Sequence, residues 1–229
     1  MLGYAAPLTA RLARPTAFLP KRPANEGSRA YQLKRLAEST LGSGNLRVAV
    51  QVPDGELFEE WLAVHTIDFF NHLNILYGTL TELCTPRECP VMCAGPRFEY
   101  HWQDPTSVKY RRSTRLSAPD YIECLLNWAQ AQMDDEQLFP VAPGAPFPPS
   151  FVDRVKAILR RLFRIYAHVY HHHFSHVCAM RLEVHLNTSY RHFFLFVTEY
   201  HLIDPKEMVP LAEINEAILE EQARQTAKP

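Results

Sequence analysis

The chain has 229 residues, 47% of them hydrophobic, with 24 Lys and Arg against 25 Asp and Glu and a pI near 6.8. That length and apolar content suffice for one sizeable core. The near-neutral balance argues against a nucleic-acid binder, which usually carries a basic excess, so any charge-driven recognition must come from local segregation of the two signs. Five cysteines (Cys84, Cys89, Cys93, Cys124 and Cys178) are too sparse for a secreted disulfide scaffold and fit a reducing compartment with metal ligation. No run approaches the roughly 20 apolar residues that span a bilayer.

Residues 1–27 read as a flexible basic arm: Arg11, Arg14, Lys21 and Arg22 precede the first acid, Glu26. This is a loose match to a mitochondrial transit peptide, but Pro7, Pro15, Pro20 and Pro23 interrupt any amphipathic helix. Residues 28–229 read as a single helical domain. A short helix is expected over Tyr31–Thr40, stopped by Gly42-Ser43-Gly44. Pro53-Asp54 should start the next one, with Asp54 as N-cap, and its wide apolar stripe marks it as central. After a loop rich in cysteine and proline, Phe98–Trp102 alternates, and Val108–Leu116 is the expected partner strand of a hairpin. Ser117 is placed to cap a helix over Ala118–Met133. Beyond a proline-rich connector, Ser150 and Asp153 suggest a capping box. Phe151, Val155, Ile158, Leu159, Leu162, Ile165, Tyr166 and Val169 then keep the i, i+3, i+4 rhythm for five turns. Further helices are expected over Leu182–Tyr200 and Lys206–Ala223, which makes an all-α bundle with one hairpin.

Cys84 and Cys89 form a C-x4-C element, at the long end of zinc half-site spacing, with Pro86 able to bend the chain between them. The other half lies among His168, His171, His172, His173 and His176. On a regular helix His168 and His172 share a face, whereas His168 and His173 stand about 140° apart. The H-x3-5-H rule permits either second ligand. Cys93 is the alternative thiolate, and Cys124 and Cys178 read as core.

Two charged faces accompany these residues. Arg160, Arg161 and Arg164 lie at i, i+3 and i+4 spacing, and converging guanidinium forks suit a phosphate. Acids gather at Asp54, Glu56, Glu59, Glu60 and Asp68, around Trp61.

GPRFEYHWQD (Gly95–Asp104), CPVM (Cys89–Met92), RRLFRIYAHVYHHHF (Arg160–Phe174), HLNTSYRHFFLFVTEYHLIDPKE (His185–Glu207) and EGSRAYQLKRLAESTLGSGNLRVAV (Glu26–Val50) resemble the Mob (Mps-one-binder) kinase co-activators, the founding subfamily above all. The resemblance implies a four-helix-bundle core with added helices, a small β-hairpin and a structural zinc held by Cys84, Cys89, His168 and His173. It implies a non-catalytic adaptor that binds the N-terminal regulatory region of NDR/LATS-type AGC kinases through Glu56, Glu60, Trp61 and Asp68, with His192 nearby. A phosphothreonine site for an upstream Hippo/Mst-like kinase or scaffold maps onto Arg160, Arg161 and Arg164, where Arg160 replaces a lysine of the family. Thr40 matches one phosphorylated threonine of the family. The other falls on Ala17, leaving Thr16 as a displaced candidate. The setting implied is cell-division and growth-control signalling in the cytoplasm, with the nucleus and the spindle pole or centrosome as further stations, without nucleic-acid binding or membrane insertion. The competing reading is a zinc hydrolase with an open metal position, using acids such as Asp104 and Glu99.

Overall fold

The computed structural model describes residues 46–142 and 144–226. The basic arm, the expected Tyr31–Thr40 helix and both candidate phosphorylation positions, Thr16 and Thr40, lie outside the described residues. A four-residue helix, α1 (Leu46–Ala49), leads into the 21-residue α2 (Phe58–Gly78). Trp61, Leu62, Phe69, Phe70 and Leu73 bury more than one side of α2, so it lies between α4, α3 and α6 as the central helix of the bundle. It starts later than expected. Gly55 takes the left-handed conformation at φ +82°, and Glu56 N–H donates to the Pro53 carbonyl at 3.1 Å, so the chain turns there rather than entering the helix. Asp54 is therefore not its N-cap. Leu57 occupies that position without a side-chain bond, and Glu59 and Glu60 in the first turn offset the helix dipole instead.

The hairpin is smaller and lies earlier than the alternation suggested. Strands β1 (Cys93–Ala94) and β2 (Phe98–Glu99) pair antiparallel, Cys93 opposite Glu99 and Ala94 opposite Phe98. Farther out only Trp102 and Thr114 bridge. The expected strand over Val108–Leu116 does not form. Val108 is 93% exposed and Lys109, Arg111 and Arg112 face solvent, so only Tyr110 and Leu116 near its two ends pack on the core and no continuous apolar face is left to hold a sheet.

Helix α3 (Ala118–Asp134) is capped as read: the Ser117 hydroxyl accepts from Asp120 N–H at 3.3 Å. Helix α4 (Phe151–His168) buries the apolar stripe identified in the sequence. The Ser150–Asp153 capping box is not formed. Ser150 already has a helical backbone, and a cap needs an extended residue there to swing its hydroxyl over the first turn.

Helix α4 does not stop at His168. It passes into one π-helical turn (Val169–His173) and on into α5 (Phe174–Ala179). Helix α6 (Glu183–Glu199) returns along the bundle with Tyr190, Phe193 and Phe196 inside. The last expected helix is split: Pro205–Leu211 is 3-10, and α7 (Ala212–Thr226) is α-helical. Pro210 lacks the N–H an α-turn would need. His171 ties the π turn to this segment, its Nε2–H donating to the Pro210 carbonyl at 2.8 Å.

Candidate metal centre and its flanking surfaces

The loop after α2 folds on itself. Cys84 N–H donates to Leu80 O at 2.7 Å and Cys89 N–H to Thr85 O at 2.8 Å, while the Thr85 hydroxyl accepts from Glu88 N–H at 3.3 Å. These bonds close the chain around Pro86 and turn both sulfurs the same way. They meet the histidines across 84 residues of sequence: Cys84 Sγ lies 3.5 Å from His168 Nε2, and Cys89 Sγ lies 3.4 Å from His173 Nε2. The four ligand atoms all fall within 4.8 Å of one another, and among the described residues no other group of three or more His, Cys, Asp or Glu forms such a cluster.

The π turn makes this possible. An α-helix would point His173 well away from His168. A π turn bonds residue i to i+5, which brings residues five apart onto one face, and the rings of His168 and His173 meet edge-on there at 5.2 Å. Of the two histidines that spacing left open, His173 joins the cluster and His172 does not.

The donor set fits a metal ion. Sulfur at about 2.3 Å and nitrogen at about 2.0 Å from one tetrahedral ion stand about 3.5 Å apart, close to the two separations above. His168 donates Nδ1–H to the Cys93 carbonyl at 2.8 Å, which turns the lone pair of Nε2 towards Cys84. His173 Nδ1 is buried without a partner among the described residues. Burial lowers the pKa of both His168 and His173 to about 4, so both rings are neutral, as ligands must be. Burial also pushes the Cys84 thiol up to about 12, against a smaller opposing effect of a hydrogen bond from Tyr77, and it raises Cys89. Two thiolates in this place need the charge of a cation beside them. Cys84 (1% exposed), Cys89 (6%), His168 (0%) and His173 (2%) are closed off from solvent. Four protein donors leave no position for a catalytic water. The acids of the hydrolase reading are engaged elsewhere, Glu99 with Arg115 and His101 and Asp104 with Thr106.

The three arginines sit on α4 before His168, each in different surroundings. Arg160 pairs with Glu207 at 3.3 Å. Arg164 donates to the Tyr121 hydroxyl at 2.7 Å and lies over the ring of Tyr100. The Arg161 guanidinium lies 4.7 Å from the ring centre of Trp102 and 4.0 Å from that of Trp128. Its Nη2 donates to Gln103 O at 3.1 Å, and its Nη1 is buried without a partner among the described residues. Sequence reading missed this aromatic platform, because no local spacing links Trp102, Trp128 and Arg161.

On the acidic side, Glu56, Glu60 and Asp68 are half-buried. Trp61 is 1% exposed, with its indole N–H donating to Val50 O at 3.0 Å, and His192 is 4% exposed. These two lie beneath the acidic surface rather than on it. His65, also missed in the sequence, packs between them against Trp61, His192 and Phe196. Cys178, read as core, is exposed, and Cys124 is half-buried. Among the described residues no helix is long and apolar enough to cross a membrane.

The model of the Mob1/phocein family matches residues 38–211. The chain is 53% identical over 202 residues to "MOB kinase activator-like 1 homolog A" of Dictyostelium discoideum, covering 88% of this chain and 94% of the relative. It is 54% identical over 202 residues to "MOB kinase activator-like 1A" of Arabidopsis thaliana, covering 88% and 93%. To the protein of the same name in Medicago sativa subsp. falcata it is 51% identical over 203 residues, covering 89% and 94%. A match of this length takes in both cysteines, both histidines and the arginine helix at once, and on it the chain belongs to the Mob1/phocein family.

Proposed function

We propose that this protein is a non-catalytic co-activator of protein kinases, with zinc as its structural metal. Members of the family are regulatory co-activators rather than enzymes, and the observation that carries the reading is the near-full-length match, at 54% identity, to a protein named as a kinase activator. Two thiolates and two neutral imidazoles are the donor set of closed structural zinc sites. Zinc there supplies the positive charge that keeps both sulfurs ionised, and it staples the loop after α2 to the end of α4.

What remains for function is surface. The acidic surface formed by Glu56 in the preceding turn and by Glu60 and Asp68 on α2, above Trp61 and His192, receives the basic N-terminal regulatory region of an NDR/LATS-type AGC kinase. Binding orders that region and shifts the kinase towards its active conformation. The arginine helix receives a phosphothreonine of an upstream Hippo/Mst-like kinase or scaffold. Support for this second site is the unpartnered Nη1 of Arg161, which a phosphate oxygen would satisfy through a charge-assisted hydrogen bond.

A pull-down with the N-terminal fragment of an NDR/LATS-type kinase tests the main reading. The wild-type protein is expected to retain the fragment, and the charge-reversed variant E56K/E60K/D68K to lose it. No retention by the wild type, or full retention by the variant, overturns the reading.

A further inference from the structure

Outside the four-ligand centre, a third cysteine and a third histidine stand together. Cys93 Sγ lies 3.3 Å from His172 Nε2, close to the 3.5 Å and 3.4 Å of the two Cys–His pairs inside. The setting differs: the four inner ligands are buried, whereas Cys93 is half-buried and His172 exposed. Gly95 N–H donates to His172 Nε2 at 3.4 Å. That nitrogen therefore carries its lone pair, with the ring proton on Nδ1, and a cation beside the Cys93 sulfur would take the lone pair over from this long amide bond.

The position of the pair is as informative as its separation. Both members touch the same inner ligand. The His172 ring stacks on that of His168 with centroids 4.7 Å apart, and the Cys93 carbonyl accepts the Nδ1–H of His168 at 2.8 Å. Glu99 is the cross-strand neighbour of Cys93 and shares its face of the hairpin. Its carboxylate is turned onto Arg115 and His101, at 2.8 Å from each. An ion between Cys93 and His172 would thus have two protein donors, and solvent at its remaining positions.

We infer that Cys93 and His172 form a solvent-open landing site for a thiophilic cation, zinc or cadmium, on its way to the buried centre. The inward half of this inference rests on the zinc reading above. Cys93 Sγ and His172 Nε2 would each take the place of a water on such a cation, and the Cys93 thiol would give up its proton to solvent. On transfer, the Cys84 and Cys89 sulfurs and the two inner imidazoles would replace the remaining waters and then the outer pair. Of the two protons released by the inner thiols, the Cys93 sulfur would take one back and the other would leave to solvent. The oxidation state of the metal does not change. A chemically distinct outer pair of one thiolate and one imidazole binds softly enough to let go, whereas the inner set of four does not.

The test uses the full-length protein, stripped of metal by a chelator under reducing conditions and then reloaded. Wild type, C93S and H172Q are compared in final zinc content, in the rate of zinc uptake from a coloured zinc–dye complex, and in cadmium uptake followed by thiolate–cadmium absorption. All three are expected to reach the same zinc content. Uptake is expected to be about tenfold slower in both variants, and only the wild type should bind an additional, weaker cadmium ion. Equal uptake rates overturn the landing site, as does a variant whose final zinc content also falls, since that residue then supports the inner centre itself. A wild-type protein that takes up no zinc overturns the zinc reading as well.

Discussion

His172 and His173 are chemically identical neighbours with opposite assignments, and a single backbone feature separates them. His173 faces Cys89 inside the core, while His172 faces Cys93 at the surface. H173Q is therefore expected to abolish tight metal binding without rescue by His172, and H172Q to leave the buried centre loaded, both read by elemental analysis of purified protein. Loss of the centre belongs among the changes that cost more than about 4 kcal/mol, which corresponds to a fall in Tm of roughly 8–16 °C for H173Q. Arg161 invites a second comparison. Its charge lies over the rings of two tryptophans while its fork also reaches the Gln103 carbonyl, a placement that lysine cannot copy because an ammonium lacks the planar fork. R161K is expected to weaken phosphothreonine-peptide binding by at least about 1.4 kcal/mol, or tenfold. R160K should change it little, because Arg160 is exposed and paired with Glu207. Fluorescence anisotropy with a labelled phosphopeptide separates the two variants, and equal losses would point to general charge rather than the stacked fork.

At the scale of elements, the fold depends on places where regular structure is interrupted. The π turn lengthens one helical turn by a residue and so aligns the ligand pair. The β1–β2 hairpin supplies the carbonyl that orients His168. Its turn contains Gly95, at φ +66°, where an added Cβ would lie 3.0 Å from His171 Nδ1. G95A is expected to cost about 1–2 kcal/mol from the left-handed backbone alone, and more from crowding His171. Gly78, at the end of α2, has nothing within 4 Å of such a Cβ, so G78A should be neutral or stabilising by up to about 1 kcal/mol. Urea denaturation of the two variants checks the contrast. Element type was largely legible beforehand: the stripe from Phe151 to Val169 and the Ser117 cap are local patterns, and they appear as read. Asp54 and Ser150 carried equally good local signals and failed. A cap depends on the backbone angle of the capping residue, which at these two positions is set by Gly55 and by the proline-rich connector. The Val108–Leu116 strand failed because alternation needs a continuous apolar face, and here only Tyr110 and Leu116 reach the core.

For the whole molecule, the aromatic interior between α2 and α6 holds two histidines that, among the described residues, find no hydrogen-bond partner for His65 Nδ1, His65 Nε2 or His192 Nε2. Burial pushes His65 well below its usual range, helped by His192, and lowers His192 to about 3, helped by His72. Both rings are thus neutral in the fold but take up a proton when unfolded near pH 6.5. Their contribution to stability is complete above that value and is lost as pH falls below it, by about 1.4 kcal/mol per pH unit for each histidine. H192F should flatten this acid slope between pH 6.5 and 5. The quantity to measure is the difference in unfolding free energy between wild type and H192F, which cancels the titration of the metal ligands. A difference that does not change with pH would sink the idea.

From the sequence alone one can read the helical class, the two halves of the candidate metal centre, the charged segments and the family, because each is written in local spacing or in motif strings that need no partner. Spacing could not choose between His172 and His173, since that choice turns on a π-helical turn that appears once the chain closes across 84 residues. Nor could it show that Arg161 lies on Trp102 and Trp128, or that Trp61 and His192 are buried beneath the acids they were grouped with. Those outcomes were decided by tertiary packing, which brings together side chains that are distant in the chain and excludes water from between them.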